Sequence, residues 1–191
     1  MKLKRIFDII FSFLGLILFS WLVFLSWIIA SIETRSNGFF MQKRVGKYGK
    51  PFNIIKIKTM HNAGSSRKIM IDNLRITKSG RFFRKTKIDE LPQLYNVLIG
   101  KMSFVGPRPD IFGFADKLKG EDRKILSILP GITSLASLKY KNEEEILSKK
   151  NNPDKFNKDV IYPDKVRLNL EYIKERSFVL DLKIILRTLF G

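Results

Sequence analysis

The chain has 191 residues, in which 36 lysines and arginines face 18 acidic residues, for a formal net charge of +18. This length suits one catalytic domain with its own core, and the charge favours a polyanionic partner: nucleic acid, anionic lipid or a phosphorylated substrate. The chain has no cysteine and one histidine, His61, which excludes disulfides, thiolate chemistry and histidine metal clusters and leaves carboxylates as the catalytic and metal-binding groups.

The first predicted element is an apolar segment, residues 6–32, whose only charged residue is Asp8. It exceeds the ~20 residues that a membrane helix needs. Basic residues lie on both sides of it, so both flanks have the composition of cytoplasmic segments. We predict a re-entrant helix that breaks near Ser20, where the serine hydroxyl can bond to backbone groups that a bend releases. A straight single-pass anchor is the alternative, because a flank of only five residues constrains orientation weakly.

After the membrane segment, two apolar runs, residues 39–41 and 52–57, flank a glycine-containing turn and predict a small β-hairpin. Residues 61–67 are polar and predict a loop. A cationic segment, residues 78–87, surrounds Phe82 and Phe83, and residues 89–98 have helical spacing with Asp89 placed as the N-cap.

The second half alternates loops and helices. We predict a fixed loop over residues 102–109, a short charged helix over residues 143–150, and a surface loop over residues 151–163. From Asp164 onward the pattern predicts an amphipathic helical tail. Its apolar face suits either the membrane interface or packing on the core.

The adjacent carboxylates Asp89 and Glu90 follow a basic run at a predicted helix start, where the helix dipole favours anions and keeps a carboxylate ionised. An ionised Asp89 suits a nucleophile that attacks phosphorus, and Glu90 suits a ligand for a divalent cation. An ordinary helix start with an aspartate cap is the alternative.

Arginine and lysine side chains supply candidate phosphate-binding groups. A guanidinium holds phosphate oxygens through paired hydrogen bonds, which makes Arg84 and Arg108 candidates, and Arg108 lies between two prolines. Lys56 and Lys58 alternate with isoleucines on a strand candidate, so both point to one face. Solvated surface charges, or contacts to anionic headgroups, are the alternatives for all four.

Together these residues resemble the bacterial sugar transferases, also called monotopic phosphoglycosyl transferases or polyprenyl-phosphate sugar phosphotransferases. The matching motifs run in family order along nearly the whole chain: the basic residues before the Asp8 segment, Phe40–Gly46, Lys56–Met60, Asp89–Leu94, Met102–Ser103, Gly106–Pro109, Pro130–Thr133 and Asp181–Lys183.

The resemblance implies that Asp89 attacks the sugar-linked phosphate of a UDP-sugar, releases UMP and carries the phosphosugar until polyprenyl phosphate accepts it. Glu90, with Asp89, would bind Mg²⁺. Arg84 and Arg108 would bind phosphate, and a set of motif residues would contact the substrate: Lys58, Gln42 and Arg44. The product would initiate a surface glycan at the cytoplasmic face of the bacterial inner membrane, with membrane lipids as neighbours and a homodimer as a possible assembly.

The expected fold is α+β, mostly helical with a small β-hairpin, an N-terminal membrane-embedded helix with a kink at Ser20, and amphipathic interfacial helices. Residues 1–32 would form the membrane helix or helical hairpin, and residues 33–191 the catalytic domain. The sequence departs from the family pattern at two places: Trp21 replaces the proline that usually follows the serine, and residues 134–141 replace a segment with glycine, glutamine and arginine. The sugar therefore cannot be carried over.

Two other functions fit part of the sequence. A membrane-tethered nucleic-acid-binding protein would explain the charge but not the Asp89–Glu90 pair. A scaffold that keeps the fold without activity is opposed by the intact motifs. We expect no nucleic-acid partner.

Overall fold

The computed structural model describes residues 2–62 and 75–191. This part of the chain is mostly helical, as expected, and has two small sheets. The predicted loop at residues 61–67 lies largely outside the described residues. The helices and strands are α1 (Lys2–Thr34), β1 (Phe39–Val45), β2 (Pro51–Ile57), α2 (Lys78–Thr86), α3 (Gln93–Leu98), β3 (Ser103–Val105), β4 (Gly131–Thr133), α4 (Leu135–Lys139), α5 (Glu143–Ser148), α6 (Pro153–Phe156), α7 (Tyr162–Glu175) and α8 (Phe178–Phe190).

Residue contacts group the chain into two compact units. The N-terminal unit contains Phe7–Lys43 and Asn53–Ile99, and the C-terminal unit contains Met1–Ile6, Arg44–Phe52 and Gly100–Gly191. The expected division into a membrane segment and a catalytic domain at residue 32 stays a prediction, because these units reflect contacts and not environment.

Helix α1 is one continuous helix of 33 residues that passes through Ser20 without interruption. The Ser20 hydroxyl donates to the Ile17 carbonyl oxygen at 2.8 Å, within the helix. Of the two expected forms, a single helix and a helical hairpin, the described structure has the single helix. It is long and apolar enough to cross a membrane. Whether its path in the membrane is re-entrant stays a prediction.

The buried residues of α1 are small or polar, and the large apolar side chains point outward. Asp8, Ser12 and Ser26 are almost fully buried, whereas most of its leucine, isoleucine and phenylalanine side chains are exposed. This distribution is the reverse of a soluble helix and fits a helix whose outer surface meets lipid.

The predicted β-hairpin is present as β1 and β2, which pair as a two-stranded sheet. In the N-terminal unit, Ile57 of β2, Phe83 of α2 and Ala30 of α1 form a buried cluster. Alanine at position 30 lets these two large side chains reach the helix, so the last turns of α1 are fixed against the hairpin and α2.

In the C-terminal unit, β3 and β4 pair in parallel, with Ser103 opposite Gly131 and Val105 opposite Thr133. The predicted loop over residues 102–109 is therefore partly wrong, because its first half is a strand. The sequence pattern missed this pair because each strand has three residues, too few to show alternation.

The predicted surface loop over residues 151–163 is wrong, because helix α6 and a π-helical segment, Asn157–Ile161, lead directly into α7. The Asn152 side chain accepts from the Lys155 amide at 3.0 Å and starts α6, and Ile161 is buried. Asparagines and a proline at a helix start were interpreted as loop residues.

The predicted helical tail forms α7 and α8, separated at Ser177, whose hydroxyl caps α8 by accepting from the Leu180 amide at 3.1 Å. One face of α8 is buried through Asp181 and Ile184, while four of its apolar residues are exposed: Val179, Leu186, Leu189 and Phe190. The helix thus packs on its unit and also presents an apolar face.

A buried ion pair joins the start of α1 to this tail within the C-terminal unit. The Lys4 ammonium donates to the Asp181 carboxylate at 2.6 Å and to the Val105 carbonyl oxygen at 3.0 Å. The Tyr172 hydroxyl donates to the second Asp181 oxygen at 2.5 Å. Asp181 is 3% exposed, and its charge is compensated by these two donors.

Candidate active site

Asp89 and Glu90 lie together in a 3₁₀ turn, Ile88–Glu90, between α2 and α3. Helix α2 ends at Lys87, whose left-handed backbone, with φ 60°, turns the chain into this segment. Helix α3 starts after it, with Pro92 at its cap position. The prediction that Asp89 is a helix N-cap is therefore wrong.

Local hydrogen bonding explains why Asp89 does not cap a helix. A capping side chain accepts from the amide two or three residues further along. The Leu91 amide already donates to the Ile88 carbonyl oxygen at 3.2 Å, and Pro92 has no amide hydrogen. The Asp89 carboxylate therefore has no helix amide to cap.

Asp89 is 7% exposed, and its Oδ1 atom is buried with no hydrogen-bond partner among the described residues. Burial, followed by the neighbouring Glu90 charge, raises the pKa of Asp89, while Lys56, Lys87 and Arg84 pull it down. The expected helix dipole is not what sets this pKa, because Asp89 lies in a 3₁₀ turn and desolvation is the largest effect on it. An unbonded, buried carboxylate oxygen is a candidate for binding a ligand or entering a reaction.

Glu90 is held by Lys56 of β2. The Lys56 ammonium lies 2.7 Å from Glu90 Oε1, and the two side chains are 18% and 13% exposed. Since the hairpin fixes Lys56, this ion pair fixes Glu90 beside Asp89. Lys56 therefore belongs to the site, in agreement with the strand pattern that placed it near Lys58.

Arg84 lies against the end of the hairpin. Its Nε donates to Thr59 Oγ1 at 3.0 Å, and a terminal nitrogen donates to Met60 Sδ at 3.0 Å. Its charge lowers the pKa of Asp89, so the guanidinium acts on the carboxylate electrostatically. Sequence reasoning treated Thr59 and Met60 only as part of a motif, because nothing local shows a contact 25 residues away in the chain.

Lys58 lies in the same unit, and its described bonds go to the segment after α1 and to the segment after β2. Its ammonium donates to Ser36 Oγ at 2.6 Å and to Asn62 Oδ1 at 2.5 Å. Gln42, on β1, is partly buried and also belongs to the N-terminal unit. The unit brings Glu90, Lys56 and Arg84 around Asp89, and the substrate-binding roles of Lys58 and Gln42 stay predictions.

Arg44 and Arg108 belong to the C-terminal unit. Arg108 is exposed, while Pro107 and Pro109 on either side of it are buried. A terminal nitrogen of Arg44 donates to the Pro109 carbonyl oxygen at 3.3 Å. Arg44 thus supports the turn that carries Arg108, and phosphate binding by either arginine stays a prediction.

The carboxylates present fit a magnesium ion of the kind that substrate phosphates help to hold. Among the described residues there is no group of three or more histidine, cysteine, aspartate or glutamate side chains able to bind a metal. Magnesium commonly uses one or two carboxylates together with substrate phosphates and water. Asp89, with its unbonded oxygen, and the adjacent Glu90 supply that number.

The chain was compared with known proteins. The family model described as "Bacterial sugar transferase" matches residues 1–191. The chain belongs to this family. The resemblance derived from the motifs is therefore confirmed, and the protein is a sugar transferase with a long apolar N-terminal helix.

Among relatives of this bacterial sugar transferase, the "Uncharacterized sugar transferase EpsL" of Bacillus subtilis (strain 168) is 34% identical, over 98% of this chain and 86% of that protein. The "UDP-glucose:undecaprenyl-phosphate glucose-1-phosphate transferase" of Klebsiella pneumoniae is 36% identical, over 100% of this chain and 40% of that protein. The protein of the same name in Escherichia coli (strain K12) is 34% identical, over 98% of this chain and 39% of that protein. The chain thus spans about two fifths of these two transferases.

Proposed function

We propose that this sugar transferase moves a phosphosugar from a UDP-sugar to polyprenyl phosphate, the undecaprenyl form, and so initiates a surface glycan. The names of the Klebsiella and Escherichia relatives support this donor and acceptor chemistry. The buried, unbonded oxygen of Asp89, beside Glu90 and under the influence of Lys56 and Arg84, is the observation that carries the proposal.

The reaction proceeds in two displacements at one phosphorus atom. An Asp89 carboxylate oxygen attacks the sugar-linked phosphorus, the bond from that phosphorus to the UMP oxygen breaks, and UMP leaves with the electron pair. An oxygen of polyprenyl phosphate then attacks the same phosphorus, and the aspartyl oxygen–phosphorus bond breaks. Asp89 is regenerated and the product is a polyprenyl diphosphate sugar.

The residues of the N-terminal unit prepare the first displacement. Burial removes water from the Asp89 carboxylate, which strengthens its interaction with any charge that approaches. Lys56 and Arg84 oppose the effect of desolvation and pull the pKa of the carboxylate down. Arg84 is bonded to the hairpin and presents a fixed guanidinium to a phosphate oxygen.

Asp89 and Glu90 would hold the magnesium ion, which when bound neutralises negative charge on the phosphates. Lys56 already neutralises Glu90, so a metal and this lysine share one carboxylate. We further assign phosphate or substrate contacts to the remaining motif residues, Arg108, Arg44, Lys58 and Gln42.

We assign the chain to the bacterial inner membrane with its reactive residues at the cytoplasmic face. The exposed apolar surface of α1 and the apolar side of α8 support contact with membrane lipids. A polyprenyl phosphate has its phosphate at the membrane surface, so an enzyme embedded there meets both the lipid acceptor and a water-soluble nucleotide sugar.

The test is the intact mass of purified protein, in detergent with magnesium, after incubation with a panel of UDP-sugars and no lipid acceptor. We expect a gain of one phosphosugar that is absent in Asp89→Asn and retained in a control, Asp154→Asn, whose side chain is exposed on α6. Release of UMP only after polyprenyl phosphate is added, with no adduct, would remove the covalent step. If the protein forms no adduct and also releases no UMP, the proposed function is overturned.

A further inference from the structure

Asn96, on α3, is a buried asparagine whose side chain is bonded to strand β2. It is 2% exposed and lies in the N-terminal unit, together with residues 53–57 of that strand. Its Oδ1 accepts from the Ile55 amide at 3.2 Å, and its Nδ2 donates to the Asn53 carbonyl oxygen at 2.8 Å. Burial of an amide costs free energy unless its polar atoms are bonded, and here both the oxygen and the nitrogen are bonded.

These two bonds resemble the pairing of one strand with another. Residues two apart on a strand direct their backbone groups to the same edge, so Asn53 and Ile55 present a carbonyl oxygen and an amide side by side. The Asn96 side chain has the same two groups as a peptide, an acceptor oxygen and a donor N–H. It therefore holds the edge of β2 at the distance that a neighbouring strand would have.

A second contact joins the same two stretches of chain. Lys56 follows Ile55 on β2, and its ammonium lies 2.7 Å from Glu90 Oε1. Glu90 and Asn96 belong to one stretch, in which backbone hydrogen bonds continue from the 3₁₀ turn into the first turn of α3. The contacts thus close a ring, with β2 on one side, residues 90–96 on the other, and one link at each end.

The ring restricts where the Glu90 carboxylate can lie. An ion pair of two long side chains fixes their position weakly by itself, because lysine and glutamate each have several rotamers. The Asn96 bonds hold the backbone of β2 against α3, so that Lys56 meets Glu90 from a fixed base. Sequence reasoning assigned no role to Asn96, because nothing local shows a contact 41 residues away in the chain.

We propose that the Asn96 side-chain amide is a positioning group for the reaction: it sets the spacing of Lys56 and Glu90, and so the placement of Glu90 beside Asp89. In this role Asn96 contacts neither the substrate nor the metal ion. The inference rests on the proposed function, since it takes Glu90 as a working carboxylate of the site. A small displacement of such a group slows a reaction even when every reacting residue is present.

The first test needs no substrate. Urea unfolding of the full chain in detergent, with Lys56→Met, Glu90→Gln and the double variant, measures the coupling between the two side chains. The same cycle is repeated in an Asn96→Leu background, which keeps the branched shape and removes both hydrogen bonds. We expect the coupling to fall by about half or more. An unchanged coupling would show that Asn96 only stabilises the fold, and would overturn the inference.

The second test measures the single-turnover rate of adduct formation with a UDP-sugar and saturating magnesium. We expect Asn96→Leu to slow this rate about threefold to tenfold in the wild-type background. In a Lys56→Met background it should change the rate by less than about 1.5-fold, because the spacing that Asn96 sets no longer holds an ion pair. Equal effects in the two backgrounds would overturn the inference while leaving the proposed function intact.

Asn169→Leu is the matched control for both tests. Asn169 is also a buried asparagine, 7% exposed, but it lies on α7 in the C-terminal unit. Its replacement should leave the coupling of Lys56 with Glu90 and the rate of adduct formation unchanged. A fall in the coupling as large as that caused by Asn96→Leu would overturn the inference, because any buried asparagine would then have the same effect.

If Asn96→Leu fails to fold, hydrogen exchange of the wild-type chain decides the matter. The Ile55 amide should be protected as strongly as the amides of α3, because its acceptor is a side chain of that helix. Rapid exchange at Ile55 would overturn the inference. A wild-type chain that forms no adduct and releases no UMP would overturn the proposed function, and this role of Asn96 with it.

Discussion

At the scale of single residues, Asp89 shows a conflict between function and stability. Its folded-state pKa is raised mainly by burial, so the native state binds that proton more tightly than the unfolded chain does. Such a carboxyl group contributes stability at low pH that is lost as the pH rises through its folded-state pKa. At neutral pH the protein therefore bears the cost of a buried negative charge.

Replacement of Asp89 by asparagine should raise the melting temperature at neutral pH, because the cost of ionisation disappears with the charge. The difference from wild type should shrink as the pH falls toward the ordinary range of an aspartate, where both side chains are neutral. Thermal unfolding of the two proteins at several pH values measures this. Asp154→Asn should show no gain, and a lower melting temperature for Asp89→Asn at neutral pH would contradict the assigned cost of burial.

Lys56 lowers the pKa of Asp89 more than any other charged residue does. Lys56→Met should therefore shift the acidic limb of the rate of adduct formation to higher pH, because the carboxylate must lose its proton to attack. The same change removes the cation that competes for Glu90 and should lower the magnesium concentration needed for half-maximal rate.

A pH profile of single-turnover adduct formation, repeated over a range of magnesium concentrations, measures both effects of Lys56→Met. Lys85→Met, at an exposed position of α2, is the control and should reproduce the wild-type profile. An acidic limb at unchanged pH would show that Lys56 does not act on Asp89.

At the scale of elements, Gly80 allows helix α2 to pack closely against the segment that follows the hairpin. A Cβ atom at Gly80 would overlap the carbonyl oxygen of Thr59 and the side-chain oxygen of Thr77. Thr77 caps α2 by accepting from the Gly80 amide at 2.9 Å, so the helix start and the end of the hairpin meet at this residue. The position of Arg84, one turn further along, depends on that close approach.

Gly80→Ala should lower the free energy of unfolding by about 1–3 kcal/mol, because the added methyl group forces α2 away from a rigid carbonyl. The rate of adduct formation should fall as well, since Arg84 and the turn with Asp89 move with the helix. Urea unfolding followed by circular dichroism measures the first effect. Lys85→Ala on the same helix is the control, and a Gly80→Ala protein as stable as this control would refute the close packing.

Elements with strong local signals were predictable from the sequence. The long apolar run specified α1, and the two apolar strands with a glycine turn specified the hairpin. The parallel pairing of β3 with β4 was not predictable, because Ser103 and Gly131 are 28 residues apart in the chain and three-residue strands have no period. At the candidate site, the motif singled out Asp89 and Glu90, and their catalytic roles stay predictions.

The environment of those residues did not follow from the sequence. Local rules placed Asp89 at a helix cap, and the structure buries it in a 3₁₀ turn. Neither amide that a cap at Asp89 would use is available, because the Leu91 amide bonds to the Ile88 carbonyl oxygen and Pro92 has no amide hydrogen. The pKa of Asp89 depends on this burial, which only tertiary packing determines.

At the scale of the whole molecule, the direction of α1 relative to the membrane determines where the two ends of the helix lie. The chain has no native cysteine, so single cysteines at positions 2 and 35 can be labelled specifically. A re-entrant path should protect both from a membrane-impermeant thiol reagent in intact cells and expose both after permeabilisation, because both ends would be cytoplasmic.

Labelling of intact and permeabilised cells, followed by a gel shift, distinguishes the two topologies. A single-pass anchor would leave one cysteine reactive in intact cells, and that result would contradict the re-entrant path. A cysteine at position 154, on α6, reports on which side of the membrane that helix lies.

The Lys4–Asp181 ion pair can form only late in the synthesis of this chain. Its two residues are 177 positions apart, so at a synthesis rate of about 5–20 residues per second the first must wait roughly 10–35 s for the second. During that interval a lysine beside a newly inserted apolar helix is free to pair with lipid phosphates. We therefore expect completion of the fold to include an exchange, in which an aspartate made 177 residues later displaces lipid phosphate from this lysine.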